Sequence, residues 1–145
     1  VSELMNYSGF YSMSVLQFAF EDQSEENLYL PENQEEKNCF YTGTHDNQTA
    51  KSFIESNREN ELLNKKLNDF SEKNEVYSFI SYAMSAKSNR FIAPMSDYLY
   101  LGEEGRINTP GTVEKNWKIM YKKDDFNDKL AENIFDLCKK HKRLL

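Results

Sequence analysis

Side chains with the chemistry of an active site stand together at His45, Asp46 and Asn47, directly after a short apolar run at residues 39–42. An imidazole, a carboxylate and an amide together offer hydrogen-bond donors and acceptors to a ligand. Side chains at the carboxyl ends of parallel strands line the ligand crevice of α/β folds. The spacing therefore predicts a ligand site at His45 and Asp46. The alternative is a loop in which Asp46 or Asn47 only caps the helix that begins near Thr49.

A second polar segment, residues 93–112, follows another short apolar run and is rich in residues that form turns. It contains Gly102 and Gly105, but no GxGxxG or P-loop pattern surrounds them, so phosphate binding is not indicated. Long loops inside compact domains are usually functional or disordered. The aromatic and apolar side chains of this segment favour an ordered, functional loop.

The composition limits the classes of function. The chain of 145 residues carries a net charge of −6, which argues against nucleic-acid binding because phosphate recognition needs a basic surface. It has no apolar run long enough to cross a membrane and no secretory signal pattern at its start. Its two cysteines, Cys39 and Cys138, lie far apart without histidines at zinc spacing, so we expect reduced thiols. These features predict a cytoplasmic protein.

Short apolar runs alternate with helical patterns along the chain. The runs predict strands at residues 15–20, 39–42 and 90–94. Strands that alternate with helices predict an α/β fold with parallel pairing. Three strands are too few for a complete barrel or a doubly wound sheet, and residues 1–7 resemble the tail of a helix without a cap. We therefore expect this chain to be part of a larger fold.

The helical patterns fall between and after the predicted strands. Residues 49–69 predict two short helices broken near Asn57, and residues 75–87 place apolar side chains on one stripe. The last pattern predicts a final helix at about residues 124–144, with Asp124 or Asp125 as its N-cap.

Several segments resemble, in order, the motifs of 4-α-glucanotransferases of the amylomaltase (disproportionating enzyme) type, glycoside hydrolase family 77. Residues 15–20 resemble that family's VLQFAF strand, and residues 29–33 resemble a loop that follows it. Residues 41–47 match the family's YTGTHDN motif without a change. Residues 93–112 resemble its next long loop, and the pair at positions 116 and 117 matches the Asn-Trp that follows. The ordered set is highly specific and covers nearly the whole chain.

The resemblance implies an α-amylase-like (β/α)₈ TIM barrel that needs no metal or organic cofactor. Residues 1–145 would be its C-terminal part, an incomplete barrel whose three strands correspond to strands six to eight. Asp46 matches the family's third catalytic carboxylate, which stabilises the transition state, and His45 matches a histidine that binds the same sugar. Asn108, Phe18 and Asp22 fall near positions that line the glucan groove. The implied reaction is a retaining double displacement through an oxocarbenium-like transition state.

The resemblance also implies which parts are missing. The family's nucleophilic Asp and acid/base Glu lie on the fourth and fifth strands, and neither motif occurs in these 145 residues. We therefore expect the isolated chain to be inactive, because the covalent intermediate needs the nucleophile. The implied partners are α-1,4-glucans, namely maltooligosaccharides, glycogen or starch, with no nucleic acid and no membrane. Exposed sheet edges are also expected to promote self-association of the fragment.

Two other functions stay open. One is another hydrolase or branching enzyme of the α-amylase superfamily, in which a similar HDN element recurs. Residues 108–112, followed by Asn116 and Trp117, argue against it. The other is a glucan-binding module without catalysis. Local departures from the family at residues 11–13 and 50–53 are expected to affect helix packing and acceptor contacts, but not the predicted site residues.

Overall fold

Three short strands form a parallel sheet in the order in which they occur in the chain. They are β1 (Ser12–Val15), β2 (Asn38–Tyr41) and β3 (Arg90–Ile92), and β2 lies in the centre. The computed structural model describes residue 4 and residues 7–22 and 24–144, so the helix tail expected at residues 1–7 falls mainly outside the described part. The parallel pairing of all three strands confirms the sequence prediction of a parallel α/β fold.

The first strand lies earlier in the chain than predicted. Ser12–Val15 pairs with β2, whereas Leu16–Phe20 forms a 3₁₀ turn, so the strand predicted at residues 15–20 is wrong beyond Val15. The 3₁₀ turn is nevertheless the part that packs into the core, through buried side chains that include Leu16, Ala19 and Phe20. A short apolar run in the sequence predicts that its side chains are buried. Burial alone does not show whether the backbone forms a strand or a tight turn. The third strand likewise ends at Ile92, before Pro94.

Five α-helices have defined bounds in the described part of the chain. The first three are α1 (Ala50–Ser56), α2 (Glu61–Asp69) and α3 (Glu75–Met84), and each is capped by a side chain that accepts a backbone hydrogen bond: Thr49, Asn60 and Asn74, respectively. The break between α1 and α2 confirms the interruption predicted near Asn57. The short helix α4 (Met95–Tyr98) lies inside the segment, residues 93–112, that was predicted as an ordered loop.

The final helix, α5 (Asp128–Lys140), is shorter than predicted. The side chain of Asn127 caps it by accepting a hydrogen bond from the backbone N–H of Leu130, so the prediction of Asp124 or Asp125 as the N-cap is wrong. Those two aspartates belong to a separate 3₁₀ turn, Lys123–Asp125, in which the Asp125 carboxylate accepts from the backbone N–H of Lys122. Acidic residues before a helix are also compatible with such a turn.

Helix α3 is the centre of the packing. Each of its residues except Glu75 is buried, and it contacts α1, α2, α4 and α5. An aromatic cluster of Phe20, Phe53 and Phe79, with ring centroids 5.8 to 6.1 Å apart, joins the turn after β1 to α1 and α3. The cluster therefore joins the elements that directly follow β1 and β2 to the central helix. Among the described residues, no helix is long and apolar enough to cross a membrane.

Candidate functional site

The loop that joins β2 to α1, residues 43–49, is held in shape by its own polar groups. The side-chain oxygen of Asn47 accepts hydrogen bonds from the backbone N–H and the hydroxyl of Thr44, at 2.9 and 2.8 Å. Gly43 permits a close approach, because a Cβ there would lie 2.7 Å from Nε2 of Gln17. That same Nε2 donates to the carbonyl of Gln48 at 2.8 Å and ties the loop to the turn after β1.

Asp46 does not cap α1, and neither does Asn47. Thr49 fills that position by accepting from the backbone N–H of Ser52 at 3.2 Å. Helix capping therefore explains neither polar residue of the loop, and the capping alternative raised from the sequence is wrong. Asn47 shapes the loop, and the Asp46 carboxylate takes no part in capping the helix.

A buried carboxylate anchors both ends of this loop. One oxygen of Asp97, in α4, accepts from the Thr42 hydroxyl and the other from the backbone N–H of Ala50, each at 2.8 Å. Asp97 is 1% exposed, and burial raises its pKa to about 6, against the smaller opposite effects of its two hydrogen bonds. The end of β2 and the start of α1 are thereby fixed to the segment that follows β3. This role of Asp97 could not be predicted from the sequence, because nothing in the pattern shows that its side chain is buried.

The Asp46 carboxylate lies within hydrogen-bond distance of two other predicted site residues, His45 and Asn108. One of its oxygens accepts from the side-chain amide of Asn108 at 2.5 Å, and the other lies 3.2 Å from Nε2 of His45. The backbone N–H of Asn108 also donates to the carbonyl of His45 at 3.1 Å. The side chains of His45 and Asp46 are each 48% exposed. The cluster is therefore organised by internal contacts and still open to a ligand.

Arg106 lies beside this cluster and contacts its backbone. Its Nε donates to the carbonyl of Asn108 at 3.1 Å, and its Nη2 donates to the carbonyl of Asp46 at 3.3 Å. Its Nη1 lies 3.5 Å from the carboxylate of Glu103. Arg106 could not be identified from the sequence, because its role depends on a contact between two loops.

Trp117 adds an apolar surface next to His45. The two ring centroids are 4.9 Å apart, and the rings are inclined by 39°. The indole is 66% exposed, although the backbone N–H of Trp117 is held by the carbonyl of Ile107 at 2.8 Å. The Asn-Trp motif was the available sequence signal, but it did not indicate contact with His45.

Phe18 and Asp22 lie after β1, at the same end of the parallel sheet as His45 and Asp46. Phe18 is partly exposed and packs edge to face on Tyr29, with ring centroids 5.6 Å apart. The exposed carboxylate of Asp22 accepts from the side chain of Asn27 and from the backbone N–H of Ser24, and these bonds lower its pKa. Within the described ranges no hydrogen bond or ring contact joins either residue to the Asp46 cluster. Their place in the site is therefore still a prediction.

The cluster combines groups that suit a sugar ring. A carboxylate, an imidazole and an amide offer donors and acceptors for hydroxyl groups, and the exposed indole offers an apolar face. Both cysteines are free thiols, and no group of three or more potential metal ligands occurs among residues 4, 7–22 and 24–144. The described arrangement can thus orient hydroxyls and stabilise positive charge through Asp46.

Comparison with known proteins gives the family of this chain. The sequence profile described as 4-alpha-glucanotransferase matches residues 1–125. The chain is 38% identical over 141 residues to a 4-alpha-glucanotransferase of Clostridium butyricum, which covers 94% of this chain and 28% of that protein. It is 32% identical over 150 residues to a 4-alpha-glucanotransferase of Streptococcus pneumoniae serotype 4, covering 99% of this chain and 29% of that protein. The chain therefore spans less than a third of the length of these relatives.

A solved structure shows the same fold. The amylomaltase from Streptococcus agalactiae in complex with acarbose superposes with a TM-score of 0.89 at 22% identity, over 97% of this chain and 29% of that one. This likeness supports an α/β fold of the amylomaltase kind with a small parallel sheet. With the sequence profile matching most of its length, the chain belongs to the 4-alpha-glucanotransferase family.

Proposed function

We propose that this chain is the C-terminal part of a 4-α-glucanotransferase, which transfers a segment of 1,4-α-glucan to the 4-hydroxyl of glucose or of another 1,4-α-glucan. The reaction would be a double displacement with retention of configuration. The observation that carries the proposal is the contact of Asp46 with His45 and Asn108 at the carboxyl end of β2. The family of the chain supplies the class of reaction that this cluster would serve.

Asp46 is proposed as the transition-state-stabilising carboxylate. Positive charge develops on the sugar ring as the glycosidic bond breaks, and hydrogen bonds to the ring's hydroxyls strengthen at that stage. A carboxylate already held by His45 and Asn108 would need little rearrangement, which is how preorganised groups lower a barrier. His45 and Asn108 would donate hydrogen bonds to the same sugar. The side chain of His45 is about half exposed and Asn108 is partly exposed, which supports this role because a sugar can reach both.

The remaining predicted groove residues extend this site. We place Phe18 and Asp22 along the same groove because both follow β1, whose carboxyl end lies beside that of β2. The exposed pair of Phe18 and Tyr29 would pack against an apolar face of the glucan. In this proposal β1, β2 and β3 correspond to strands six, seven and eight of a (β/α)₈ barrel, and the substrates are maltooligosaccharides, glycogen or starch. A cytoplasmic location stays a prediction from the sequence.

The nucleophile and the acid/base are proposed to lie outside these 145 residues. A retaining mechanism needs two further carboxyl groups about 5 Å apart across the scissile bond. The sequence has neither of the family motifs that would supply them. The chain would thus contribute Asp46 and part of the groove, and the rest of a longer protein would contribute the covalent chemistry.

Product analysis of the full-length protein that contains this chain tests the proposal. The protein is incubated with maltotriose, and the products are separated by thin-layer chromatography. Disproportionation yields glucose together with a ladder of oligomers longer than maltotriose. Glucose and maltose without longer oligomers would indicate a hydrolase of the same superfamily. Unchanged maltotriose, bound but not converted, would indicate a glucan-binding module.

A further inference from the structure

We propose that Arg106 is a positioning residue, whose guanidinium holds the backbones of Asp46 and Asn108 in one fixed arrangement. This inference rests on the proposed function, because it assigns Arg106 a role in keeping the transition-state-stabilising carboxylate in place. The role is indirect. In the described structure, Arg106 contacts main-chain carbonyls of the site rather than the exposed atoms of Asp46.

The two residues that Arg106 joins belong to loops from different strands. Asp46 follows β2, whereas Asn108 lies in the long segment after β3. The Nε and Nη2 atoms of Arg106 reach the two carbonyls at 3.1 and 3.3 Å, so one rigid plane sets the distance between the loops. With the two backbones held in this way, the side-chain amide of Asn108 donates a hydrogen bond to the exposed carboxylate of Asp46.

The surroundings of Arg106 favour a fixed guanidinium. Its side chain is 19% exposed, and Glu103 lies against its remaining terminal nitrogen. An arginine offers several N–H donors in one plane, whereas a lysine offers a single ammonium group on a flexible stem. A lysine at this position could keep the positive charge but could not hold both carbonyls in the same geometry.

If the contacts of Arg106 were lost, the loops that carry Asp46 and Asn108 would be held less firmly. This change should slow the chemical step more than it weakens substrate binding. Displacement of a catalytic group by about 1 Å can cost on the order of 10²-fold in rate. Substrate binding depends on many contacts along the groove, and most of them do not involve Asp46. A positioning role therefore predicts a lower kcat with a nearly constant KM.

The test compares Arg106→Lys with Arg106→Met in the full-length protein, with kcat and KM measured on maltotriose. Arg106→Lys keeps the charge and removes the two-carbonyl contact, so we expect about a 10-fold or greater loss in kcat and a change in KM of less than about 2-fold. Arg106→Met should lose at least as much. If the lysine variant does not fold, the kcat and KM of the methionine variant still carry the test.

The matched control is Arg58→Lys, which alters a surface pair with Glu75 that has no contact with the site. It should leave kcat and KM unchanged. Retention of kcat in Arg106→Lys would overturn the inference, and so would a loss confined to KM, which would indicate a substrate contact. The wild-type protein is measured first. Absence of transfer there refutes the proposed function and this inference with it, whereas an active wild type with an equally active Arg106→Lys refutes the inference alone.

Discussion

The Asp46 carboxylate and the Asn108 amide lie 62 positions apart in the chain, yet they form a hydrogen bond. His45 completes the group from the position next to Asp46. The three residues therefore meet because two loops converge at the carboxyl ends of β2 and β3. At the scale of single residues, the division of roles among them can be tested by substitution.

His45→Ala should lower the turnover number of the full-length enzyme by roughly 10²-fold. The substitution removes one hydrogen-bond donor to the sugar and leaves the Asp46 charge in place, so its effect should be smaller than that of removing the carboxylate. Turnover on maltotriose, measured at saturating substrate, checks this expectation.

Two other substitutions serve as controls for that measurement. His141 bonds through Nε2 to the hydroxyl of Ser81, a residue of α3, at 2.7 Å, and Cys39 is a free thiol inside β2. His141→Ala and Cys39→Ser should leave turnover close to the wild-type value. A loss in either control comparable to that in His45→Ala would contradict the special role of His45.

Some residues of the candidate site could be predicted from the sequence, and others could not. His45 and Asp46 could be predicted because both lie in one contiguous motif after a strand, and Asn108 because it lies in a second motif. Arg106 and Trp117 could not be assigned roles, since their contacts cross from one loop to another. Contacts of that kind depend on loop geometry, which residue type and spacing do not determine.

At the scale of elements, the helices were more predictable than the strands. Apolar side chains at helical spacing and polar caps such as Thr49 and Asn74 define where α1 and α3 lie. The strands are only three or four residues long, and their ends depend on pairing with β2. The buried turn Leu16–Phe20 has the same apolar composition as a buried strand. Its conformation is therefore decided by tertiary packing.

Asp97 should make stability depend on pH in a defined direction. Its folded-state pKa of about 6 lies above the ordinary value of 3.8, so its contribution to stability is fully present below pH 3.8 and is lost as the pH rises through 6. Asp97→Asn stays neutral and can still bond Ala50 and Thr42. Relative to this variant, the wild type should lose about 3 kcal/mol between pH 4 and 7, from a shift of roughly two pKa units at 1.36 kcal/mol each.

Thermal unfolding of the full-length wild type and the Asp97→Asn variant at several pH values measures this difference. The gap between the two midpoints should widen in favour of the variant as the pH rises. Asp22→Asn is the matched control, because hydrogen bonding lowers the pKa of Asp22 and its contribution is therefore lost as the pH falls. If the difference between the two unfolding midpoints does not change with pH, the pKa of Asp97 is not raised in the folded protein and the prediction is wrong.

At the scale of the whole molecule, the chain should not catalyse transfer by itself. The proposed nucleophile and acid/base lie outside it, and Asp46 alone cannot form a covalent glycosyl intermediate. The purified 145-residue chain should therefore yield no new oligomers from maltotriose above a mock preparation. Longer oligomers made by the pure chain would show that a nucleophile lies within it.

The open sheet should also make the isolated chain associate with itself. Within the described residues β1 and β3 each pair with β2 alone, and the side chains of Met13 and Ile92 on them are exposed. Unpaired edges and exposed apolar surface favour contact between copies. Sedimentation equilibrium should show a concentration-dependent mass up to ~100 µM, within the range at which such species associate. A constant monomer mass would contradict this expectation.

The most direct test of the central claim is the turnover number of Asp46→Asn in the full-length protein. The claim is that this chain supplies the transition-state-stabilising carboxylate of a 4-α-glucanotransferase. Asparagine keeps the shape of the side chain and removes its charge, so the protein should fold normally and lose at least about 10²–10³-fold in turnover on maltotriose. A variant that folds and retains most of the wild-type turnover would show that Asp46 does not carry this role.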